Sequence, residues 1–173
     1  TKLSIDNSHT LTQARVTNGY TNYSSDVLSI MVDTSKYKTY TMDKQDEYEM
    51  MDMGCYHGIV AAGPAGTGKS TDPLIYCAKE EIPVVVFQCT PGTEEDAIIG
   101  NFIPNTSGGF SLKRGPLANA IEQDCWLVIN EANYVPSGIL SCLNSVMDDN
   151  AQVLLDDGSM LKRGKNFRLI LTV

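Results

Sequence analysis

Histidine and basic residues are scarce in this 173-residue chain, and both shortages restrict its function. The only histidines are His9 and His57, and 13 Lys and Arg stand against 21 Asp and Glu, a formal net charge of −8. Sequence-independent binding to nucleic acid needs clustered positive charge, which so acidic a chain does not supply. We therefore expect no direct nucleic-acid binding, and acidic partners are disfavoured.

Paired cysteines are also lacking. The five cysteines are Cys55, Cys77, Cys89, Cys125 and Cys142, and no two of them form a C-x-x-C pair. With two histidines available, this spacing predicts neither a zinc site nor a disulfide framework. We expect reduced and mostly buried thiols.

Long apolar runs and a leader-like start are missing as well. No apolar run approaches the roughly 20 residues that a membrane helix needs, and the amino terminus lacks a basic-then-apolar signal. The composition, 42% hydrophobic and 20% charged, is that of an ordinary protein domain with a sizeable core. We expect a cytoplasmic or nuclear protein with no membrane partner.

The first part of the chain differs from the rest. Residues 1–42 are rich in Thr, Ser, Asn and Tyr, and alternation in "VLSIMVDTSKYKTYTM" predicts one or two strands there, with no function assigned. The next stretch, "DKQDEYEMMDMG", predicts an acidic helix closed by Gly54. Its expected buried side consists of Met50, Met51 and Met53.

From His57 onward, short apolar runs alternate with helical stretches. The runs are "GIVAAG", "PVVVFQC", "CWLVINE" and "FRLILTV", and helices are expected near residues 69–81, 94–99, 116–123 and 136–149. Strands that are apolar on both faces are typical of a buried parallel sheet with helical crossovers, so we predict an α/β fold of three αβα layers. Two interruptions stand out: the Gly-rich "GNFIPNTSGGFSLKRG", and "AQVLLDDGSMLKRGK", in which Asp157-Gly158 flanked by apolar residues predicts a β-hairpin.

A phosphate-binding loop follows the first of these strands. "GPAGTGKS" matches G-x-x-x-x-G-K-[ST] and lies between a strand and a helical stretch, as this chemistry requires. The expected nucleotide-binding residues are Gly63, Pro64, Ala65, Gly66, Thr67, Gly68, Lys69, Ser70 and Thr71. Main-chain N–H groups surround the phosphates, while lysine reaches the β and γ phosphates and serine gives its hydroxyl to Mg²⁺. Pro73 predicts that the following helix begins late or kinks.

The run "WLVINE" ends in Asn130 and Glu131, where P-loop hydrolases present carboxylates to Mg²⁺ and to the attacking water. Together with "CTPGTEEDAIIGNF", "GGFSLKRGPLANAI", "NEANYVPSGILSCLNSVMDD" and "NFRLILTV", in that order, it makes the chain from about residue 54 to its end resemble an AAA+ ATPase core. The nearest branch contains the MoxR, midasin and dynein-related proteins. The resemblance covers about two thirds of the chain, and we expect residues 43–173 to form a partial nucleotide-binding core.

This resemblance implies an ATP-hydrolysing subunit of a ring that remodels a protein or ribonucleoprotein client. ATP and Mg²⁺ are the implied cofactors, and neighbouring AAA+ subunits or domains are implied partners. Lys69 and Glu131 are the implied catalytic residues, and Ser70 and Asn130 are the implied residues of the Mg²⁺ site. Both interruptions resemble β-hairpins that the family inserts into its core. Candidate client contacts in them are Lys113, Arg114, Lys162 and Arg163.

Three features depart from the family pattern. Asn130 replaces the usual aspartate, which predicts weaker Mg²⁺ binding and slower turnover. The chain ends at Val173, where the family places its sensor asparagine, so we expect a fragment without that residue, the last strand, the arginine finger and the helical lid. Residues 1–42 match nothing in the family.

Two other functions remain open at this stage. A small-molecule P-loop kinase shares the same loop, although Glu131 suits activation of water better than transfer to an acceptor. A nucleotide-binding module that does not hydrolyse, and only holds a ring or scaffold together, is favoured by Asn130. Glu131 argues against that second function too.

Overall fold

The computed structural model describes residues 31–42, 44–148 and 151–173. Met31 forms an isolated antiparallel bridge with Val85, and Ser35–Tyr37 forms a short 3-10 helix. The predicted strand alternation is therefore wrong for residues 32–42, while the rest of that prediction lies outside the described residues. In this segment Met31 packs against one hydrophobic core, and Tyr37 and Met42 pack against the other.

A four-stranded parallel sheet forms the centre of the fold. Its strands are β1 (Gly58–Ala61), β2 (Val84–Gln88), β5 (Trp126–Asn130) and β8 (Arg168–Thr172), in the spatial order β1-β8-β5-β2. Each coincides with one of the four apolar runs. The predicted parallel sheet is thus confirmed, with β8 inserted between β1 and β5.

Helices connect these strands. They are α1 (Gln45–Asp52), α2 (Asp72–Lys79), α3 (Glu95–Ile99), α4 (Pro116–Glu122) and α5 (Ser137–Met147), and each lies within a predicted stretch. None of the described helices is long and apolar enough to cross a membrane.

Side chains of β5 alternate between two hydrophobic cores. Leu127 and Ile129 pack with α4 and α5 on one face, whereas Trp126 and Val128 pack with α1 and α2 on the other. All four are completely buried. Helices therefore cover both faces of the sheet, which confirms the three-layer αβα prediction.

Helix α1 corrects one detail of the prediction. Met51 is fully buried together with Tyr48, but Met50 is 46% and Met53 74% exposed. Successive helical residues are about 100° apart, so positions 50, 51 and 53 cannot share one narrow face, whereas 48 and 51 can. The prediction that all three methionines are buried is wrong for two of them.

Both predicted hairpins are present. Strands β3 (Gly100–Pro104) and β4 (Phe110–Arg114) pair between α3 and α4, and β6 (Gln152–Leu154) pairs with β7 (Met160–Lys162) before β8. Gly158 has a φ of 80°, as the Asp157-Gly158 turn requires. Of the cysteines, Cys77, Cys89 and Cys125 are buried, Cys142 is half-buried, and Cys55 is exposed.

A buried arginine ties α1 to the sheet. Arg168, at the start of β8, is 4% exposed. Its guanidinium donates to the main-chain carbonyls of Met51 and Asp52 at the end of α1, and to those of Lys165 and Phe167. Carbonyls at a helix end need such donors, and a positive charge is favourable there. Arg168 thereby fixes the helix that forms one wall of the cavity described below.

Replacing Arg168 with methionine should lower the free energy of unfolding by about 2–4 kcal/mol, because buried carbonyls would lose their donors while most of the side-chain volume remains. Urea unfolding measures the change. Lys165→Met is the matched control: it removes the same charge from an exposed site three residues away, where we expect about 0.5 kcal/mol or less. Equal unfolding midpoints for the two variants would contradict the role assigned to Arg168.

Candidate nucleotide-binding site

The candidate site lies at the carboxyl edge of the sheet, where β1, β8 and β5 end side by side. The phosphate-binding loop follows β1 directly. Its first residue, Gly63, donates its main-chain N–H to the carbonyl of Val173 at 3.3 Å, and Val173 donates to Ala61 at 3.0 Å. The loop is therefore attached to the ends of two neighbouring strands.

Two glycines let the loop turn. Gly66 and Gly68 have φ angles of 81° and 85°, which side-chain-bearing residues rarely adopt. The hydroxyl of Thr67 donates to the carbonyl of Pro64 at 2.9 Å and closes the loop. The Lys69 ammonium donates to the same carbonyl at 2.9 Å and also to that of Gly63. The Lys69 ammonium therefore lies within the loop. The carbonyls that hold it belong to exposed residues, so water can donate to them when the ammonium moves away.

The helix after the loop begins late, as Pro73 predicted. Ser70 and Thr71 lie in a turn, and α2 starts at Asp72 with Pro73 in its first turn. The main-chain N–H groups of Thr71 and Asp72 both donate to the Gly68 carbonyl at 2.8 Å, which makes this turn nearly helical. Loop and helix start together present a set of N–H groups suited to an anion.

The strand end bearing Asn130 and Glu131 lies two strands away from β1. Thr172 of β8, between the two, donates its hydroxyl to the Asn130 side-chain oxygen at 3.1 Å. Glu131 has an exposed side chain and a left-handed backbone, with φ 54° and ψ 50°. Such a conformation is costly for a residue other than glycine and is frequent at functional sites.

A cavity of about 500 Å³ opens beside the loop. Gly63, Pro64, Thr67 and Lys69 of the loop line it, as do residues of β1. Its volume is in the range of small-molecule sites, and its location next to the loop leaves room for the part of a nucleotide beyond the phosphates.

Sequence reasoning missed the other wall of this cavity. Lys44, Glu47, Tyr48 and Asp72 contribute to it. Burial, and then the negative charge of Asp72, raises the pKa of the Tyr48 phenol, so the hydroxyl stays protonated. Asp72 lies at the start of α2, directly after the loop. No sequence signal marks Lys44, Glu47 and Tyr48, because only tertiary contacts of α1 bring them to the loop.

A metal ion at this site would need oxygen atoms from the nucleotide. Among the described residues no three His, Cys, Asp or Glu side chains cluster to hold a metal. Ser70 follows Lys69 in the loop and has the hydroxyl that suits Mg²⁺. Protein donors at the site thus fit a metal–nucleotide complex, with the phosphates supplying further ligands.

Residues 58–173 match the family model described as "AAA domain (dynein-related subfamily)". The chain belongs to this family. The match begins at β1 and includes the phosphate loop, both hairpins and the strand end at Asn130. The AAA+ resemblance noted in the sequence is thereby confirmed, and members of this family generally bind ATP with Mg²⁺.

Curated relatives agree with this AAA domain assignment. The chain is 25% identical to Midasin of Dictyostelium discoideum over 101 residues, which is 58% of this chain and 2% of that protein. It is 29% identical to Midasin of Giardia intestinalis over 107 residues, 61% of this chain and 2% of that protein. The chain thus spans a very small part of the relatives it matches.

Solved structures show the same AAA+ P-loop fold. A candidate ATPase from Cytophaga hutchinsonii has a TM-score of 0.54 at 20% identity, covering 96% of this chain and 44% of its own. NtrX from Brucella abortus has a TM-score of 0.52 at 18% identity, covering 81% and 32%. At these identities the likeness concerns the fold alone.

Proposed function

We propose that this chain binds and hydrolyses ATP as a subunit of an AAA+ ring that remodels a protein or ribonucleoprotein client. The observation that carries the proposal is the position of the lysine-bearing loop at the same sheet edge as Asn130 and Glu131. In this proposal residues 43–173 form the nucleotide-binding core, with α1 as part of it.

The loop binds the phosphates. Main-chain N–H groups of residues 65–70 would surround them, since Pro64 has none and those of Gly63 and Thr71 donate to Val173 and Gly68. Lys69 would exchange the carbonyls of Gly63 and Pro64 for the terminal phosphates. The hydroxyl of Ser70 would be a metal ligand, and Asn130 stands where the family usually presents a carboxylate to the metal's water shell. Bound Mg²⁺ would neutralise phosphate charge. The cavity beside the loop receives the nucleoside.

Glu131 activates water. An exposed carboxylate at a strand end beside the phosphate loop can accept a proton from a water molecule that attacks the terminal phosphate. The left-handed backbone of Glu131 turns its side chain away from the strand direction, which is one way to bring it to the site.

Ring assembly and the client are the least direct parts of the proposal. Members of this family supply neighbouring domains to one another, and the exposed hairpin residues Phe102, Phe110, Leu154 and Met160 offer apolar contacts. Of the basic hairpin residues, Arg114 pairs with Glu122 and Arg163 donates to the Val146 carbonyl at 2.9 Å, so both have structural roles. The exposed Lys113 and Lys162 are the better candidates for client contact.

A second function is favoured by one observation. Asn130 is uncharged, and its side-chain oxygen already accepts a hydrogen bond from Thr172. A module that binds a nucleotide only to hold a ring together, without hydrolysing the nucleotide, would have such a weak Mg²⁺ site. A P-loop kinase is less well supported, because Glu131 suits water as the acceptor.

Phosphate release from ATP by the full-length protein tests the proposed function. We expect slow, Mg²⁺-dependent release with a rate per chain that rises with protein concentration as rings assemble. Glutamine at position 131 provides the control for contaminating ATPases. Tight ATP binding without release would instead support the non-hydrolysing module, and phosphate transferred to another molecule would support a kinase.

A further inference from the structure

A buried threonine lies between the two halves of the candidate site. Thr172 is 2% exposed, and in β8 it pairs with Ala61, the last residue of β1 before the loop. Its hydroxyl donates to the Asn130 side-chain oxygen on the opposite neighbouring strand. Thr172 therefore joins the strand that leads into the phosphate loop to the strand that ends at Asn130.

This hydrogen bond determines which atoms of Asn130 remain available. A buried hydroxyl donor needs an acceptor, and the main-chain carbonyls of Ala61 and Asn130 on the neighbouring strands already accept from the N–H groups of Val173 and Cys89. The amide oxygen is the acceptor that the structure provides. A side-chain amide has one oxygen and one N–H₂ group, so fixing the oxygen on Thr172 fixes the rotation of the amide.

Amide and carboxylate differ at this point. An aspartate at position 130 would accept from Thr172 with one oxygen and still offer its second oxygen to a proton of Mg²⁺-bound water. Asparagine offers N–H donors in place of that second oxygen. A phosphate oxygen accepts from such a donor, whereas a metal-bound water, which is itself a donor to the protein, gains nothing from it.

We propose that Thr172 is a positioning residue that keeps the Asn130 oxygen out of the Mg²⁺ shell and leaves the N–H₂ group to bind a nucleotide phosphate. Nucleotide binding by this chain then depends little on Mg²⁺. The inference rests on the proposed function, since it concerns the same nucleotide site. It also separates binding from turnover: the nucleotide is retained without the metal that hydrolysis requires.

Isothermal titration of ATP into the full-length protein tests this, once with excess Mg²⁺ and once with EDTA. The measured quantity is the dissociation constant in EDTA divided by the dissociation constant in excess Mg²⁺. The larger this ratio, the more Mg²⁺ contributes to binding. Thr172→Val keeps the branched shape and removes the hydroxyl, so the amide can turn its oxygen toward a metal-bound water. We expect the ratio to rise roughly five-fold, as the gain of one neutral hydrogen bond of about 1 kcal/mol from the metal-bound water predicts. Thr172→Ser retains the hydroxyl and should keep the wild-type ratio.

Asn130→Asp provides a second, independent arm. This substitution should raise the ratio by more than Thr172→Val does. Adding Thr172→Val to it should raise the ratio no further, because the second carboxylate oxygen is already available to the metal-bound water. This arm remains informative if Thr172→Val fails to fold, which melting without nucleotide would reveal.

Three results would overturn the proposal. One is an unchanged ratio in Thr172→Val, and another is an equal rise in Thr172→Ser, which would show that packing rather than the hydroxyl is responsible. The third is a wild-type ratio as large as that of Asn130→Asp. Absence of ATP binding in the wild type under both conditions is a different outcome, since it would reject the proposed function itself and this inference with it.

Discussion

Replacing Lys69 with alanine should abolish the thermal stabilisation of this protein by ATP and Mg²⁺. The Lys69 ammonium lies within the phosphate loop, bonded to the carbonyls of Gly63 and Pro64. Hydrogen bonds to charged groups contribute about 1.5–3 kcal/mol each, so losing the lysine should weaken ATP binding by roughly ten- to a hundred-fold or more. Ligand at 100 times its dissociation constant stabilises by about 2.7 kcal/mol; a hundred-fold loss of affinity leaves about 0.4 kcal/mol of this gain, and a larger loss abolishes it.

The free protein should tolerate the same change. Gly63 and Pro64 are exposed, so water can replace Lys69 at their carbonyls, and the melting temperature without nucleotide should hardly move. Lys79→Ala is the matched control, because Lys79 is an exposed lysine at the far end of α2, the helix that follows the loop. Melting curves with and without MgATP measure both variants. A melting shift in Lys69→Ala equal to that of the wild type would reject the assignment of the loop.

The parts of this fold that local sequence determines were predictable. Runs that are apolar on both faces identified all four core strands, although Val60 of β1 is 64% exposed, and Asp157-Gly158 identified the second hairpin turn. Pro73 predicted the late start of α2 because a proline acts on its own backbone and its immediate neighbours. The phosphate loop was predictable for a similar reason: its glycines, lysine and serine are consecutive in sequence.

Features that depend on tertiary contact were not predictable. The cavity wall formed by α1 exists because Arg168, more than 100 residues later, holds the end of that helix. Residues 50, 51 and 53 are alike in the sequence, and only packing against the sheet selects Met51 for burial. Nothing in the sequence distinguishes Thr172 from other strand residues. Its contact with Asn130 exists because β8 lies between β1 and β5.

In the proposed function, we expect the Asn130 and Glu131 pair to determine how fast this site turns ATP over. Asn130 lacks the charge of an aspartate, and Thr172 engages its oxygen, so we expect Mg²⁺ to bind weakly. Charge-assisted hydrogen bonds are worth about 1.5–3 kcal/mol against roughly 1 for neutral ones, which makes the expected loss modest. Ser70 and the nucleotide phosphates remain as metal ligands. A general base contributes roughly 10²- to 10⁴-fold in rate, and Glu131 is present.

A slow ATPase that needs high Mg²⁺ is therefore the expected behaviour, and two substitutions in the full-length protein test it across a Mg²⁺ titration. Asn130→Asp should lower the Mg²⁺ concentration that gives half the maximal rate, because it adds a charged oxygen beside the metal. Glu131→Gln should reduce turnover by roughly 10²-fold or more while ATP still binds, since glutamine keeps the shape but cannot accept the proton. The rate that Glu131 contributes should exceed the rate lost through weaker Mg²⁺ binding at Asn130. The wild type should therefore hydrolyse ATP at saturating Mg²⁺. If it shows none, and Asn130→Asp starts turnover, the chain is a nucleotide-binding module rather than a slow enzyme.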